Sequence, residues 1–590
     1  MRSARGGHAA VLALPVLLVA AGLFARVVAG RALHDFTAYR TPFAFPPLST
    51  TTGPPLARQV VMVLVDGLGL EGSRGLPFLD ELRARGADYD CRVGLPSLSL
   101  PGRAVMLSGA WQEVNGQVTN YNPRPLGIES VFTVAHRQGL LTALAAGHDG
   151  LVLFAPDVAR AAVYARDPQS APFATYEAAL GRQATQSEAL LAPARGRPGL
   201  VLLELHAVDE AGHGWGAASA EYRRAARESD GAIRDLASLL DLDRDTLVVT
   251  ADHGHVPAGG HGGAEESVLH VPLVLAGAGV RAGARGTCRQ VDLAATLCTL
   301  LGLPIPSGNQ GRPVLDALAL DADRRVRALR AVLAQREAFV AAYARHLRTA
   351  EETRPEPSPV RDVGAFAAAP EASEARLAAR LDGLDRAADL AKQWRLAREQ
   401  RARALPALAV VLAPPLIALA LIRLRAAAPA QVGRAALAAA LGVGLYAAAL
   451  PLLHLGYSLT AVNKDEWLPS YFRKDMAIGV GTCALAVVFG AWREERRGAS
   501  PGLFDRARLA WLTTALFCYP FAVKMAWVYW RQGVFPRWEI ADPYWGFGFY
   551  LDVLVVMAVG LLSPLMVLPA WLAASRRAPA PAALPAHDVV

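Results

Sequence analysis

Three apolar runs, each followed closely by an aspartate, constrain the fold of this chain more than any other feature. The runs are VVMVLV, LVLLEL and TLVVTA, and the aspartates that follow them are Asp66, Asp209 and Asp252. Aliphatic runs of about six residues are typical of buried parallel strands. In open α/β sheets, ligands bind at the carboxyl ends of such strands. We therefore expect an α/β fold that brings these aspartates to one edge of a sheet.

Further polar side chains accompany the aspartates in short glycine- or proline-containing segments. They are Ser99 in LPSLSLPGR, His213 in HAVDEAGHGWG, His253 in TADHGH and His261 in GGHGGAEE. Carboxylate oxygen and imidazole nitrogen are good zinc ligands, and the absence of cysteine argues against a structural zinc knot. A hydroxyl beside two metal ions about 4 Å apart loses its proton easily and attacks phosphorus in line. The residue types therefore predict a two-metal phosphoryl-transfer site.

These segments resemble the alkaline phosphatase superfamily from Arg58 to Arg312. One branch, the nucleotide pyrophosphatase/phosphodiesterases, has the pattern Pro-Thr-x-Thr-x-Pro-Asn-His, which PSLSLPGR mirrors, so the resemblance places the nucleophile on Ser99. Ungapped counting places that branch's phosphate-binding asparagine on Asn120. The resemblance also implies two metal ligand sets: Asp209, His213 and His261 for one ion, and Asp66, Ser99, Asp252 and His253 for the other.

Two other stretches resemble a second branch, the glycosylphosphatidylinositol ethanolamine-phosphate transferases. LELHAVDEAGH resembles the pattern Leu-His-x-x-Gly-x-Asp-x-x-Gly-His of that branch. The segment from Gln290 to Gly311 resembles its Gln-x-Asp-Leu-x-Pro-Thr-Leu…Leu-Gly-x-Pro-Ile-Pro-x-x-Asn-x-Gly. The resemblance implies an alkaline-phosphatase-like, mostly parallel sheet sandwiched by helices. It also implies two zinc ions and transfer of phosphoethanolamine from a phospholipid donor to a lipid or glycan hydroxyl through a phosphoserine.

Three other functions remain compatible with the sequence. A phosphodiesterase or phosphatase of the same superfamily shares every step except the final nucleophile, which is water. A sulfatase is a weaker alternative, because Ser99-Leu100-Pro101-Gly102-Arg103 fits the Cys/Ser-x-Pro-x-Arg spacing of that branch but sulfatases usually hold a single calcium ion. An inactive membrane scaffold has no reason to keep the complete ligand set. Arg103 replaces a histidine of the phosphodiesterase pattern, and we expect it either to contact a phosphate or to lie exposed in a helix.

Six apolar runs predict an integral membrane protein, in keeping with a hydrophobic content of 53%. Each run is near the ~20 residues that a helix needs to cross a bilayer. The runs are Ala9–Ala25, Leu405–Ile422, Ala435–Leu453, Met476–Trp492, Leu509–Ala526 and Phe547–Ala574. The first run has a cleaved signal peptide as its alternative interpretation.

Arginines between the runs predict the orientation of the chain in the membrane. Arg2 and Arg5 precede the first run, and further arginines fall in alternate connections, all on the cytoplasmic side of a six-span topology. The segment with the predicted metal ligands is then extracytoplasmic. The net charge of +8 follows from this topology, and no basic-aromatic surface predicts a nucleic-acid partner. The predicted partners are the membrane, the phospholipid donor and the acceptor.

The predicted domain organisation follows these patterns. It comprises an N-terminal transmembrane anchor (1–31), an extended tether (32–57), the two-metal catalytic domain (58–320), a charged helical linker (321–403), a five-span transmembrane domain (404–577) and a cytoplasmic tail (578–590). The charged helices are expected to form either a solvated linker or a cover on the catalytic domain. Because all predicted ligands fall within 58–320, we expect that domain to contain the whole site. Loops 462–475 and 530–550 are expected to form an interfacial aromatic belt or a lipid headgroup platform.

Overall fold

The computed structural model describes residues 2–165, 172–348, 373–464, 467–496 and 502–575. An eight-stranded sheet forms the centre of its α/β part. The strands are β1 (Gln59–Val65), β2 (Ala87–Arg92), β3 (Leu141–Gly147), β4 (Arg160–Tyr164), β5 (Gly199–Leu205), β6 (Asp245–Thr250), β7 (His270–Gly277) and β8 (Arg285–Arg289).

The sheet is mixed but mostly parallel, as the sequence predicts. The strand order is β4-β3-β5-β1-β6-β7-β2-β8. β7 runs antiparallel to both of its neighbours, β6 and β2, and the other neighbouring strands pair in parallel. The three apolar runs are β5, β1 and β6, which lie side by side and are buried along their whole length. Their parallel register brings three carboxyl ends to the same edge.

Helices connect the strands and pack on the sheet. They are α2 (Pro77–Arg85), α3 (Ser99–Ser108), α4 (Gln112–Asn115), α5 (Val131–Arg137), α6 (His148–Phe154), α7 (Phe173–Leu191), α8 (Ala207–Trp215), α9 (Ala220–Ser238), α10 (Glu266–Leu269) and α11 (Asp292–Leu301). α3 and α8 begin close to the carboxyl ends of the central strands and carry predicted site residues in their first turns.

Long helices form the remainder of the described chain. They are α1 (Arg2–Thr37), α12 (Ala322–Arg348), α13 (Glu374–Arg423), α14 (Pro429–Leu452), α15 (Leu468–Arg496), α16 (Leu503–Gln532), α17 (Pro543–Leu562) and α18 (Val567–Ser575). Within the residues that the structure describes, six helical segments are long and apolar enough to cross a membrane, which agrees with the six predicted runs. The last of these, Pro543–Leu572, contains a 3-10 turn at Ser563–Met566 between α17 and α18. The protein is an integral membrane protein.

The charged segment 321–403 packs on the α/β domain as far as it is described. Phe339 and Tyr343 of α12 stack on each other with their ring centroids 5.3 Å apart. Phe45 from the segment before β1 stacks on Phe339 at 5.0 Å, and Phe43 lies 4.9 Å from Tyr343. These contacts favour the cover over the solvated linker. The RPEPSPV break in this segment lies outside the described residues, and the predicted domain boundaries stay predictions.

All five cysteines are buried free thiols, so Cys288 and Cys298 form no bridge.

Gly67 forms the turn that directs the chain away from β1 at the edge where the aspartates converge. Its φ is +75°, and a Cβ at this position would lie 2.7 Å from the Cα of Asp209. Its N–H donates to Oδ1 of Asp252 over 3.2 Å. Only glycine adopts this conformation readily and also leaves room for Asp209. Gly67 therefore sets how closely the ends of β1 and β5 approach.

Gly67→Ala is expected to destabilise the protein more than Gly75→Ala does. Gly75 has a similar φ of +72° but no atom within 4 Å of its Cβ position, so its variant pays only the backbone strain of about 1–2 kcal/mol. Gly67→Ala is expected to have the same backbone strain and, in addition, to displace Asp209, which lowers the free energy of unfolding further. Thermal unfolding of the two purified variants measures the difference, and equal unfolding midpoints would contradict this role for Gly67.

Candidate metal centre

The carboxyl ends of β5, β1 and β6 bring together the residues that the sequence predicts as ligands. Asp66 directly follows β1, Asp209 lies in the first turn of α8 after β5, and Asp252 and His253 follow β6. His213 lies one turn beyond Asp209 on α8, so both side chains point to the same side of that helix. Strand order alone therefore explains why residues so distant in sequence meet.

Ser99 is the first residue of α3 and lies beside His253. Its Oγ is 3.1 Å from Nε2 of His253. Asn120 lies next to it, because its Oδ1 accepts a hydrogen bond from the Leu100 N–H over 3.1 Å. The predicted nucleophile is thus the first residue of α3, and the predicted phosphate-binding amide contacts the first turn of that helix. N–H groups at a helix N-terminus favour a negatively charged ligand.

One group of potential ligands consists of Asp66, Asp252 and His253, whose donor atoms all lie within 4.8 Å of one another. Nε2 of His253 is 3.5 Å from Oδ1 of Asp66 and 3.9 Å from Oδ1 of Asp252. The Nδ1–H of His253 donates to the carbonyl of Gly254 over 3.2 Å. That hydrogen bond leaves the lone pair on Nε2, which faces the two carboxylates.

A second group, formed by Asp209, His253, His255 and His261, adjoins the first and shares His253 with it. His213 completes this group, since its Nε2 is 3.3 Å from Oδ2 of Asp209 and 3.2 Å from Nε2 of His261. The Nδ1–H of His261 donates to the carbonyl of Ser97 over 3.0 Å, which again leaves the lone pair on Nε2. The predicted carboxylate and histidine ligands therefore lie in two adjoining groups, and Ser99 contacts the histidine that the two groups share.

The electrostatics of the first group fit a bound cation. Oδ1 of Asp66 and Oδ2 of Asp252 are buried and accept no hydrogen bond. Burial and the charges of Asp252 and Asp209 raise the pKa of Asp66 well above its ordinary value. Burial also raises the pKa of Asp252 to about 6. Two buried carboxylates with orphaned oxygens are stable as anions only beside positive charge.

The histidines of the site are also suited to a bound cation. Burial lowers the pKa of His253, and it lowers the pKa of His261 well below its usual range, so both rings are neutral and able to ligate. Burial also opposes protonation of His213, but Asp209 and Asn463 raise its pKa to about 9. A proton on His213 therefore offsets the negative charge of Asp209 when no metal is bound. Oxygen and nitrogen donors of this kind suit a divalent metal.

Arg103 is buried, which excludes the exposed position that was one of its two expected placements. Its Nη2 lies 2.5 Å from Oδ2 of Asp66 and 3.6 Å from Oδ2 of Asp252, and its Nε lies 3.2 Å from Oε1 of Glu204. Glu204 is a fully buried carboxylate within the otherwise apolar β5. A charge in the run LVLLEL was the signal that could have revealed this pair, because buried charges are almost always paired.

His255 orients Asp209 through a hydrogen bond to its carboxylate. The Gly260 N–H donates to Nδ1 of His255 over 3.2 Å. The remaining nitrogen, Nε2, therefore carries the proton and donates to Oδ1 of Asp209 over 2.7 Å. A hydrogen bond from a neutral histidine to a ligating carboxylate fixes the direction of that carboxylate.

Comparison with known proteins finds similar sequences over the α/β part of the chain. Residues 60–276 match the model of the type I phosphodiesterase / nucleotide pyrophosphatase family. GPI ethanolamine phosphate transferase 1 of Homo sapiens is 21% identical over 45% of this chain and 33% of its own length. The catalytic subunit of human GPI ethanolamine phosphate transferase 2 is 26% identical over 44% of this chain and 28% of its own length.

The chain thus spans about a third of the length of the curated relatives that it matches. Among solved structures, alkaline phosphatase PafA is similar to 45% of this chain and 99% of that protein, with 10% sequence identity and a TM-score of 0.38. The family match falls on the segment that carries the two ligand groups. Together with the two relatives, it confirms the predicted resemblance to the alkaline phosphatase superfamily.

Proposed function

We propose that this protein is a membrane-bound phospho-alcohol transferase that moves phosphoethanolamine from a phospholipid to a hydroxyl on a lipid or glycan. The observation that carries the proposal is the position of Ser99, whose Oγ lies 3.1 Å from the histidine shared by two metal-binding groups. The names of the relatives supply the transferred group. The membrane helices support a lipid donor.

The donor set favours two zinc ions. Asp66, Asp252 and His253 would hold one ion together with the Ser99 hydroxyl, and Asp209, His213 and His261 would hold the other. When bound, the ions lower the pKa of the attacking hydroxyl and offset charge on the phosphoryl oxygens. The placement of His255 behind Asp209 favours an orienting role over a ligand role.

The reaction divides into two displacements at phosphorus. In the first, Ser99 Oγ forms a bond to the donor phosphorus, the bond from phosphorus to the diacylglycerol oxygen breaks, and the Ser99 proton ends on the leaving diacylglycerol. In the second, the acceptor hydroxyl attacks the phosphoserine, and Ser99 regains its proton. The Asn120 Oδ1 accepts from the N–H of Leu100, the residue after Ser99, so its Nδ2 would be the atom that donates to a non-bridging phosphoryl oxygen. Arg103 pairs with both Asp66 and Glu204 and would help to hold the ligand Asp66 in place.

The catalytic domain is extracytoplasmic in this proposal, as the arginine distribution predicts. A hydrolase of the same superfamily is the main alternative, because water and an acceptor hydroxyl would use the same first step. Mass spectrometry of lipids and envelope glycans from cells with and without the gene distinguishes the two. Loss of a phosphoethanolamine-modified lipid or glycan is the expected result. Accumulation of an unhydrolysed phosphodiester with no change in modified glycans would favour the hydrolase.

Ser99→Ala is expected to reduce turnover of a chromogenic phosphodiester by at least about 10³-fold, since it removes a covalent nucleophile. Ser97→Ala is the matched control in the same loop. The Ser97 hydroxyl donates to the Gly263 carbonyl over 2.7 Å and so has a structural partner. Its variant is expected to lose stability but to keep measurable turnover. The assignment of the nucleophile is wrong if Ser99→Ala stays active and Ser97→Ala does not.

Elemental analysis of the purified full-length protein is expected to find two zinc ions per chain. His261→Ala and Asp252→Asn should each retain one ion, because they remove ligands from different groups. His270→Ala is the control, since His270 pairs with Asp90 and Glu266 away from both groups, and it should retain two ions. A wild-type protein with a single ion, or with calcium, would contradict the two-zinc site and favour the sulfatase alternative.

A further inference from the structure

A loop from the membrane domain reaches the metal centre. This docking loop, residues 457–464, lies in the connection between α14 and α15 and contains a 3-10 turn at Leu459–Val462. Its residues contact two parts of the α/β domain, the His213 end of α8 and the glycine-rich segment 259–263. The positions of the predicted ligands had indicated that the whole site lies within 58–320. The contacts of the docking loop show that part of its surroundings comes from outside that range.

Asn463 holds His213 at two points. Its Oδ1 lies 3.1 Å from Nδ1 of His213, and its Nδ2 donates to the backbone carbonyl of His213 over 3.0 Å. Because Nδ2 is the donor to that carbonyl, Oδ1 is an acceptor and the Nδ1 of His213 carries a proton. Nε2 of His213 is then the nitrogen directed at Asp209 and His261. Asn463 thus fixes both the position and the tautomer of a predicted ligand.

The backbone of Asn463 is unusual. Its φ of +58° and ψ of −51° are close to those of a γ-turn with positive φ, which the Lys464 N–H closes by donating to the Val462 carbonyl over 2.7 Å. Residues with a side chain rarely adopt this conformation. Such a conformation persists only where the surrounding structure determines it. The two hydrogen bonds to His213 are part of that surrounding structure, since they require the side chain to point into the α/β domain.

The rest of the docking loop is fastened beside His261. Ser458 and Thr460 donate to the two carboxylate oxygens of Glu265 over 2.7 and 2.6 Å. The Gly263 N–H donates to Oγ1 of Thr460 over 3.0 Å. A Cβ on Gly260 would lie 2.3 Å from the Thr460 carbonyl oxygen. This close approach explains why glycines flank His261 in GGHGG.

The other end of the docking loop is anchored in the helical bundle. The Lys524 ammonium lies 3.5 Å from the ring centroid of Tyr457 and 3.1 Å from Oδ2 of Asp552. Asp552 is fully buried, and its Oδ1 accepts a hydrogen bond from the Tyr457 hydroxyl over 3.4 Å. The loop therefore connects an ion pair between α16 and α17 to the metal centre.

We propose that Asn463 is a positioning residue for His213, so that the membrane domain completes the ligand group of Asp209, His213 and His261. The inference rests on the proposed two-metal site. Without Asn463, the His213 ring is free to rotate and to exchange its tautomer, and that group binds its ion more weakly. The group of Asp66, Asp252 and His253 has no contact with Asn463 and keeps its affinity.

Asn463→Gly tests the proposal in the full-length protein, because glycine accepts the positive φ and only the side chain is lost. Chelator competition is expected to show one of the two metal dissociation constants raised about 10- to 100-fold and the other unchanged. Asn463→Asp keeps an acceptor for the Nδ1–H of His213 and is expected to restore most of the affinity. His454→Gly is the control, since His454 lies in the same connection, is exposed and has a φ of +55°.

The outcomes separate this inference from the proposed function. A wild-type protein that lacks two ions would overturn the proposed site, and the inference with it. Two ions in the wild type and unchanged affinities in Asn463→Gly would overturn the inference alone. Equal loss of both ions, with a lower unfolding temperature than His454→Gly and no rescue by Asn463→Asp, would show that the loop only stabilises the fold, and would also overturn it.

Discussion

Mutual repulsion among buried carboxylates is the constraint on which the rest of the site depends. Asp66, Glu204 and Asp252 are buried at the same edge of the sheet, and Arg103 contacts all three. One guanidinium does not balance three carboxylates, and burial together with the charges of Asp252 and Asp209 raises the pKa of Asp66 well above its ordinary value. The cost of burying these groups is large unless further cations are present. The fold therefore concentrates negative charge at a site whose donor atoms could hold a metal ion.

Hydrogen bonds also fix the orientation of the histidine rings before any ion binds. His253 and His261 donate Nδ1–H to backbone carbonyls, and His213 donates to a side-chain amide. In each ring this leaves Nε2 directed at the ligand groups. Because the partners are held by the fold, the rings need little reorganisation when an ion binds. Such partners contribute to metal affinity almost as directly as the ligands do.

Local sequence patterns predicted the centre of the site and missed its supports, for a physical reason. Apolar runs followed by aspartates reveal strand ends, and parallel strands must bring those ends together. The pairing of Arg103 with Glu204 depends on how α3 packs, and His213 meets Asn463 across 250 residues of sequence. The glycines around His261 indicated a close backbone approach. They contained no information about which segment approaches, since that depends on how the helical bundle docks.

The length and stiffness of α13 have a consequence for the height of the reaction above the bilayer. Its prolines, Pro406, Pro414 and Pro415, all lie in the apolar half, so the half before Leu405 is an uninterrupted rod of about 45 Å. That rod is pinned to the α/β domain by salt bridges such as Lys392 to Glu113, whose charged atoms are 3.1 Å apart. In the proposed reaction with a lipid donor, this rod would hold Ser99 at a set distance from the membrane surface. A donor whose phosphorus lay at another depth would then fail to reach Ser99, whatever the chemistry of its headgroup.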